Sequence, residues 1–229
     1  MIYYIDAADV EVVKEAASTY PIAGVTMNPT IVKNDLKNKK VPFFELTTQI
    51  TKLIGEEKEF HIQVVATKAE DMVKEAQALR KNIKGNLYVK IPATTAGYQA
   101  MMTLKELGIK TTATAIIDVN QALLAANAGA SYVAIYVNRV SNISADGDQV
   151  VLNAVKAFRQ NNLTTKVLGS SFKNALQVEK AAMNGAYGVA VGYDVFKASA
   201  THPLTDSSVE QFKLDWESVY GEGNKIYQF

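Results

Sequence analysis

The sequence predicts an α/β protein: a (β/α)8 barrel that occupies residues 1–229 as one domain, with an additional C-terminal helix. Short apolar runs alternate eight times with segments of helix length, the pattern of strands joined by helical crossovers. The length of 229 residues also suits a compact barrel. A doubly wound open sheet is the alternative. The first predicted strand, however, runs into Asp6-Ala7-Ala8 and lacks the Gly-x-Gly-x-x-Gly fingerprint usual in such sheets.

The eight apolar runs are rich in Val, Ile, Tyr and Thr and are bounded by Gly, Asn or Pro. These features are typical of parallel strands that are buried on both faces. The predicted strands are Ile2–Ile5, Ile22–Val25, Phe60–Val65, Leu87–Ile91, Thr111–Ile117, Tyr132–Val137, Lys166–Leu168 and Tyr187–Val191.

Between the runs, apolar residues recur at three- and four-residue spacing, as on the buried face of a helix. Two such stripes are Met72, Ala76, Leu79 and Ile83, and Ala122, Ala125, Ala126 and Ala130. Polar residues that favour the N-cap position precede three of the predicted helices. They are Asp6 for the first, Thr94 or Thr95 for the fourth, and Asp118 for the fifth.

Two further helices are predicted outside the regular alternation, at 42–54 and at 203–220. The second carries Val209, Phe212 and Trp216 on one stripe. A barrel already has its eight helices, so an additional apolar stripe suggests packing on another subunit or across the bottom of the barrel.

Composition excludes several classes of function. The net charge is +1, and no stretch interleaves basic with aromatic residues, so no nucleic-acid partner is expected. No apolar run approaches the roughly 18 residues of a membrane span, so no membrane partner is expected either. The chain opens on strand-like residues rather than a charged and then apolar leader, and it lacks cysteine. We therefore expect a cytoplasmic protein without disulfides or a cysteine-ligated metal.

Polar side chains stand where the predicted strands end. In a (β/α)8 barrel these carboxyl ends converge on one face, which carries the chemistry. The residues are Asp6, Asn28, Gln63, Lys90, Thr114, Tyr136 with Arg139, and Ser171. A single residue of this kind could be a strand-end cap. Because seven strands each place a polar residue at the same face of the barrel, the pattern predicts an active site there.

Lys90 is the strongest catalytic candidate. It follows Leu87-Tyr88-Val89 and precedes Ile91-Pro92, whereas lysines are ordinarily solvated surface charges. Burial disfavours an ammonium relative to the neutral amine. A neutral amine can attack a carbonyl and form an imine, which then withdraws electrons from the adjacent carbon–carbon bond.

Five motifs, in order, resemble the small transaldolases, and most closely their fructose-6-phosphate aldolase branch. The motifs are Asp6 after the first strand, Ala23-Gly24-Val25-Thr26-Met27-Asn28-Pro29-Thr30, Val89-Lys90-Ile91-Pro92, Tyr136-Val137-Asn138-Arg139 and Ser170-Ser171-Phe172-Lys173. The resemblance runs from the first strand to Trp216. It implies a (β/α)8 barrel that works without a cofactor or metal.

The resemblance also implies catalytic roles. Lys90 would form a Schiff base with a dihydroxyacetone unit, and Asp6 would handle the proton of the hydroxyl at the bond being broken. Gln63, Thr114 and Tyr136 would hold or activate the water that is exchanged when the imine forms and hydrolyses.

A phosphosugar is the implied substrate. Asn28 would bind the donor's hydroxyl groups, and Arg139 with Ser171 would bind the phosphate, because a guanidinium fork suits that anion. Lys173 would assist there or stand as a solvated cation. The small members of the family form pentameric rings that often stack as decamers, which implies a homo-oligomer here.

Two positions distinguish the aldolase branch from the transaldolases of the family. Transaldolases of this family carry glutamate at the position of Gln63 and phenylalanine at that of Tyr136. Both residues therefore favour cleavage to free dihydroxyacetone and glyceraldehyde 3-phosphate. The alternatives are a transaldolase, which passes the three-carbon unit from sedoheptulose 7-phosphate or fructose 6-phosphate to an aldose phosphate, and an inactive phosphosugar-binding barrel.

Two other positions depart from the family pattern. Thr112 lies where the aldolase branch tends to have an apolar residue and transaldolases an asparagine, and His61 lies where a phenylalanine is expected. We interpret His61 as a hydrogen-bonded interior residue rather than a catalyst.

Overall fold

The computed structural model describes residues 1–37 and 39–229, and within them eight parallel strands close into a barrel in sequence order. The strands are β1 (Ile2–Asp6), β2 (Gly24–Met27), β3 (Glu59–Gln63), β4 (Asn86–Pro92), β5 (Thr111–Ile116), β6 (Tyr132–Tyr136), β7 (Lys166–Ser170) and β8 (Gly188–Val191). The predicted (β/α)8 fold is therefore confirmed, and each predicted strand overlaps an observed one.

Helices follow the strands around the outside of the barrel. They are α1 (Val10–Thr19), α2 (Pro29–Leu36), α3 (Phe43–Ile54), α4 (Ala69–Asn82), α5 (Thr95–Glu106), α6 (Val119–Asn127), α7 (Val137–Ser141), α8 (Gly147–Gln160), α9 (Ala175–Met183), α10 (Tyr193–Ala200) and α11 (Pro203–Tyr220), with a 3₁₀ turn at Ile226–Gln228. The helices predicted at 42–54 and 203–220 are both present.

The predicted helix starts are right at two of three positions. Thr94 caps α5 and Asp118 caps α6 through side-chain oxygens that accept backbone N–H groups. The N-cap of α1 is Asp9, not Asp6. Strand β1 continues through Asp6. Asp6 lies two residues after the buried Tyr4, so both side chains face the barrel interior.

Two apolar layers support the barrel. The larger one packs the outward-facing strand residues, such as Ile5, Val25 and Val89, against the helices. The smaller one fills the lower barrel interior and is rich in tyrosine: Tyr4, Tyr88, Tyr132, Ala134, Leu168 and Ala190. This inner layer fills the half of the barrel nearest the amino ends of the strands, so the barrel interior has room for a site at the carboxyl ends.

The last helix lies apart from these layers. No residue of α11 is buried, and Val209 and Phe212 are exposed. Trp216 is half-buried because it packs on Tyr220 and Phe229 of the same chain. Within the described residues, no helix is both long and apolar enough to cross a membrane.

Candidate active site

A cavity of about 250 Å³ opens at the carboxyl ends of the strands. Side chains that are far apart in sequence meet there because parallel strands deliver them to one face. Seven of the nine residues predicted for the site line it: Asp6, Asn28, Lys90, Tyr136, Arg139, Ser171 and Lys173. The other two, Gln63 and Thr114, lie outside its lining.

Lys90 stands in this cavity at the end of a buried strand. Only 4% of its surface is exposed. Its neighbours across the sheet are Gln63 on β3 and Thr112 on β5, each in register with it. The amine thus reaches the cavity from a largely dehydrated position.

The carboxyl group of Asp6 shares the cavity with Lys90. Removal from solvent raises the pKa of Asp6 above its ordinary value. The positive charge of Lys90 and a hydrogen bond from Thr26 oppose this increase, whereas the negative charge of Asp35 adds to it. The Thr26 hydroxyl donates to Asp6 Oδ1 at 2.5 Å. A carboxyl group with a raised pKa suits proton exchange with a substrate hydroxyl.

Thr26 and Asp35 act on Asp6 but were not among the predicted site residues. Thr26 is in register with Asp6 on the neighbouring strand, so strand pairing could have indicated it. Asp35 belongs to α2, and its Oδ2 accepts the backbone N–H groups of Ala8 at 2.7 Å and Asp9 at 3.3 Å. No strand pattern brings a helix residue of this kind to the site.

Tyr136 lines the same cavity as Asp6, and two neighbouring side chains contact it. The Thr114 hydroxyl donates to the Tyr136 phenol oxygen at 3.3 Å. The Arg139 guanidinium lies 5.1 Å from the centroid of the Tyr136 ring. Thr114 is therefore joined to the cavity through the phenol, although it does not itself line it.

Gln63 lies beside Lys90 but on another surface. It lines an apolar groove of about 460 Å³ between β3 and the helices α2, α3 and α4, and it shares that groove with Asn28. Its side-chain oxygen is buried and accepts no hydrogen bond from the described residues. A buried acceptor without a donor is one to which a water or a substrate hydroxyl can bind.

Basic and polar groups line the end of the cavity nearest β7. They comprise Arg139, Ser171 and Lys173. Ser171 has a φ of 59°, a left-handed conformation that is uncommon for residues other than glycine and concentrates at functional sites. Lys173 is exposed, so its charge borders the cavity mouth.

Asn28 both caps a helix and lines the cavity. Its Oδ1 accepts the backbone N–H of Ile31 at 3.0 Å and so caps α2. Its side chain also lines the cavity. The carbonyl oxygen is thus engaged, and the amide NH₂ is the group left to bind a substrate oxygen.

Comparison with known proteins finds relatives that match nearly the whole chain. A family model described as transaldolase/fructose-6-phosphate aldolase matches residues 3–223. A probable fructose-6-phosphate aldolase of Streptococcus pneumoniae is 37% identical over 216 residues, 94% of this chain and 96% of the relative. A probable transaldolase of Brachyspira hyodysenteriae is 37% identical over 222 residues, 97% and 100% of the two chains.

A third relative and a solved structure extend the comparison. A probable transaldolase of Exiguobacterium sp. is 38% identical over 219 residues, 96% of this chain and 99% of the relative. A mandelate oxidase structure superimposes with a TM-score of 0.57 at 12% identity, over 84% of this chain. The chain spans 64% of the length of that oxidase, and the likeness shows the barrel fold alone.

The closed barrel and the lysine-containing cavity at its carboxyl face define an aldolase-like (β/α)8-barrel enzyme. The chain belongs to the transaldolase/fructose-6-phosphate aldolase family.

Proposed function

We propose that this chain is a class I aldolase that reversibly cleaves fructose 6-phosphate to dihydroxyacetone and glyceraldehyde 3-phosphate. The observation that carries the proposal is the nearly buried Lys90 in one cavity with Asp6 and the phenol of Tyr136. An amine, a carboxyl group with a raised pKa and a phenol are the groups that imine chemistry on a ketose requires.

The reaction begins with attack of the neutral Lys90 amine on C2 of the ketose. The carbinolamine loses water and becomes a protonated imine, which attracts electrons. Asp6 takes the proton of the C4 hydroxyl, the C3–C4 bond breaks, and its electron pair moves into the enamine. The aldehyde leaves, C3 is protonated, and water hydrolyses the imine to release dihydroxyacetone and the free amine.

Water must leave and re-enter beside Lys90 in both imine steps. Thr114 and Tyr136 are joined by a hydrogen bond on one side of the lysine. Gln63 is in register with Lys90, and its buried side-chain oxygen accepts no hydrogen bond from residues 1–37 and 39–229. We assign these groups to that water, with the phenol as its acid–base partner.

The polar end of the cavity suits the phosphate of the substrate. Arg139 can bind phosphate oxygens in a bidentate manner, and Ser171 adds a hydroxyl donor. Lys173 contributes positive charge at the cavity mouth. On the donor side, the free amide NH₂ of Asn28 binds a hydroxyl of the dihydroxyacetone unit.

A transaldolase is the second candidate, because relatives of similar identity bear both names. Gln63 and Tyr136 favour the aldolase, since the family's transaldolases have glutamate and phenylalanine at those positions. A phenol beside the imine helps water release the three-carbon unit before a second sugar can take it.

Incubation with fructose 6-phosphate alone separates the two activities. We expect free dihydroxyacetone and glyceraldehyde 3-phosphate to accumulate, and Lys90→Arg to abolish turnover, because a guanidinium stays charged and cannot form an imine. Borohydride with dihydroxyacetone should add mass to the peptide that contains Lys90. Turnover only when erythrose 4-phosphate is added would establish the transaldolase, and an unmodified Lys90 would contradict both.

A further inference from the structure

A chain of polar groups runs through the barrel interior below Lys90. His61 is fully buried, and both of its ring nitrogens are paired. Nε2 lies 3.1 Å from Glu59 Oε2, and Nδ1 lies 2.8 Å from Thr112 Oγ1. A carboxylate, an imidazole and a hydroxyl are thus hydrogen-bonded one after another, a combination that transfers protons in other proteins.

The direction of each hydrogen bond in this chain follows from the charges. Burial alone would raise the pKa of Glu59, but hydrogen bonds from His61 and Tyr4 lower it to about 2, so the carboxylate is ionised and accepts. Burial also lowers the pKa of His61, which favours the neutral ring. A neutral ring that donates through Nε2 must accept through Nδ1, so the Thr112 hydroxyl donates to His61.

Strand pairing places the hydrogen-bonded row of Glu59, His61 and Thr112 beside Lys90. His61 is on β3 and Thr112 on β5, so the hydrogen bond between them crosses the interior face of β4. It crosses between Tyr88, whose ring stacks on His61 at a centroid distance of 4.8 Å, and Lys90, which is in register with Thr112. Register partners on parallel strands point to the same face at about 4.8 Å spacing.

We propose that Glu59, His61 and Thr112 form a proton relay that converts the Lys90 ammonium into the amine that attacks the substrate. Lys90 passes a proton through a bridging water to the Thr112 oxygen as the Thr112 proton moves to Nδ1 of His61. The product is a neutral amine and an imidazolium paired with the Glu59 carboxylate. The proton returns along the same chain when the carbinolamine oxygen leaves as water. The inference rests on the proposed Schiff-base function.

The charges around His61 act on this transfer in opposite directions. The titratable groups that face it are Glu59 on its own strand, Tyr4 on β1, Tyr88 and Lys90 on β4, and Tyr132 on β6. Glu59 stabilises the imidazolium, whereas the positive charge of Lys90 opposes it. The opposition from Lys90 disappears once Lys90 has lost its proton, whereas the cost of charging a buried ring remains.

The lower end of the relay reaches water. The Glu59 side chain is 17% exposed and also accepts from the hydroxyls of Tyr4 and Tyr132. Tyr132 and Tyr88 border a cavity of about 340 Å³ at the amino-terminal mouth of the barrel. Protons can therefore exchange with solvent on the face opposite the substrate.

Two substitutions test the relay in the full-length chain. Thr112→Val removes the hydroxyl with little change of shape. His61→Gln keeps an acceptor and a donor but cannot take up a proton. We expect both to slow formation of the imine with dihydroxyacetone at neutral pH by at least about tenfold, since general acid–base groups contribute ~10²–10⁴-fold. At alkaline pH, where free amine is abundant, both rates should approach that of the unaltered protein.

The imine is measured by timed borohydride trapping and the mass of the Lys90 peptide. Thr111→Val, on the outward face of the same strand, is the matched control, and Thr112→Ser should recover most of the lost rate. The relay is overturned if the variants lose the same fraction of the rate at neutral and alkaline pH, or if His61→Gln forms the imine at an undiminished rate. Neither result contradicts the proposed Schiff-base function. Failure of the unaltered protein to form the imine overturns both.

Discussion

We expect Asp6 to set the acid side of the pH dependence of the proposed reaction. It must be ionised to accept the proton of a substrate hydroxyl, and removal from solvent raises its pKa. Activity therefore falls on the acid side as pH decreases through this raised pKa. A hydrogen bond from Thr26, at 2.5 Å, opposes this increase of the Asp6 pKa.

Thr26→Val should move the acid limb of kcat/KM to higher pH. The substitution removes a hydrogen bond to a charged group, a type of interaction worth about 1.5–3 kcal/mol, and so raises the pKa of Asp6 further. On the alkaline side the rate should change little, because Asp6 is ionised there in both proteins. The measurement is the pH profile of fructose 6-phosphate cleavage; an acid limb that stays in place or moves to lower pH would remove Asp6 as its origin.

Single residues also show how far sequence patterns reach. Lys90 could be selected because an isolated charge inside an apolar strand is unusual. Thr112 and His61 stood out only as departures from a family pattern, and their hydrogen bond spans 51 positions of the chain. Asp35 gave no signal at all, because its effect on Asp6 depends on how α2 folds back over the start of α1.

At the scale of elements, one residue both starts a helix and lines the cavity. Asn28 caps α2 at the end of β2, while Thr94 caps α5 near the end of β4. Of these two caps, Asn28 lines the cavity and Thr94 does not. Its two functions can be separated, because the cap uses the carbonyl oxygen and the substrate would use the amide NH₂.

Asn28→Asp and Asn28→Ala should therefore differ. The aspartate keeps an oxygen for the cap, so stability should be retained while KM for fructose 6-phosphate rises about tenfold through loss of a donor. The alanine should raise KM and also lower the free energy of unfolding by about 1 kcal/mol.

Thr94→Ala is the matched control for the cap. It should lower stability by about the same 1 kcal/mol and leave KM unchanged. Thermal unfolding together with steady-state kinetics measures both quantities. If the aspartate variant has an unaltered KM, Asn28 serves the helix alone.

The elements themselves were largely predictable, for a physical reason. Strands buried on both faces need continuous apolar runs, so all eight could be identified. The cap of α1 was misassigned because Asp6 and Asp9 both precede the helix and both suit a cap. The choice between them depends on the barrel, which draws Asp6 inward to Thr26.

At the scale of the whole molecule, the barrel and its surrounding helices share a buried apolar core, whereas no residue of α11 is buried. Val209 and Phe212 are 59% and 68% exposed, and the terminal Tyr227 and Phe229 are also exposed. Trp216, predicted on the same stripe, instead packs on the chain's own C-terminal segment. An exposed apolar row of this kind marks an interaction surface.

We propose that residues 203–220 contact a second copy of the chain in a homo-oligomer, a pentamer or decamer as the family resemblance implies. Phe212→Glu places a charge in the centre of the exposed stripe, where burying it in an interface would be costly. The variant should shift the mass measured by light scattering towards the monomer. Met183→Glu introduces the same charge at a 78% exposed methionine on α9 and should leave the mass unchanged. A monomeric unaltered chain, or equal masses for the two variants, would show that α11 does not hold the assembly together.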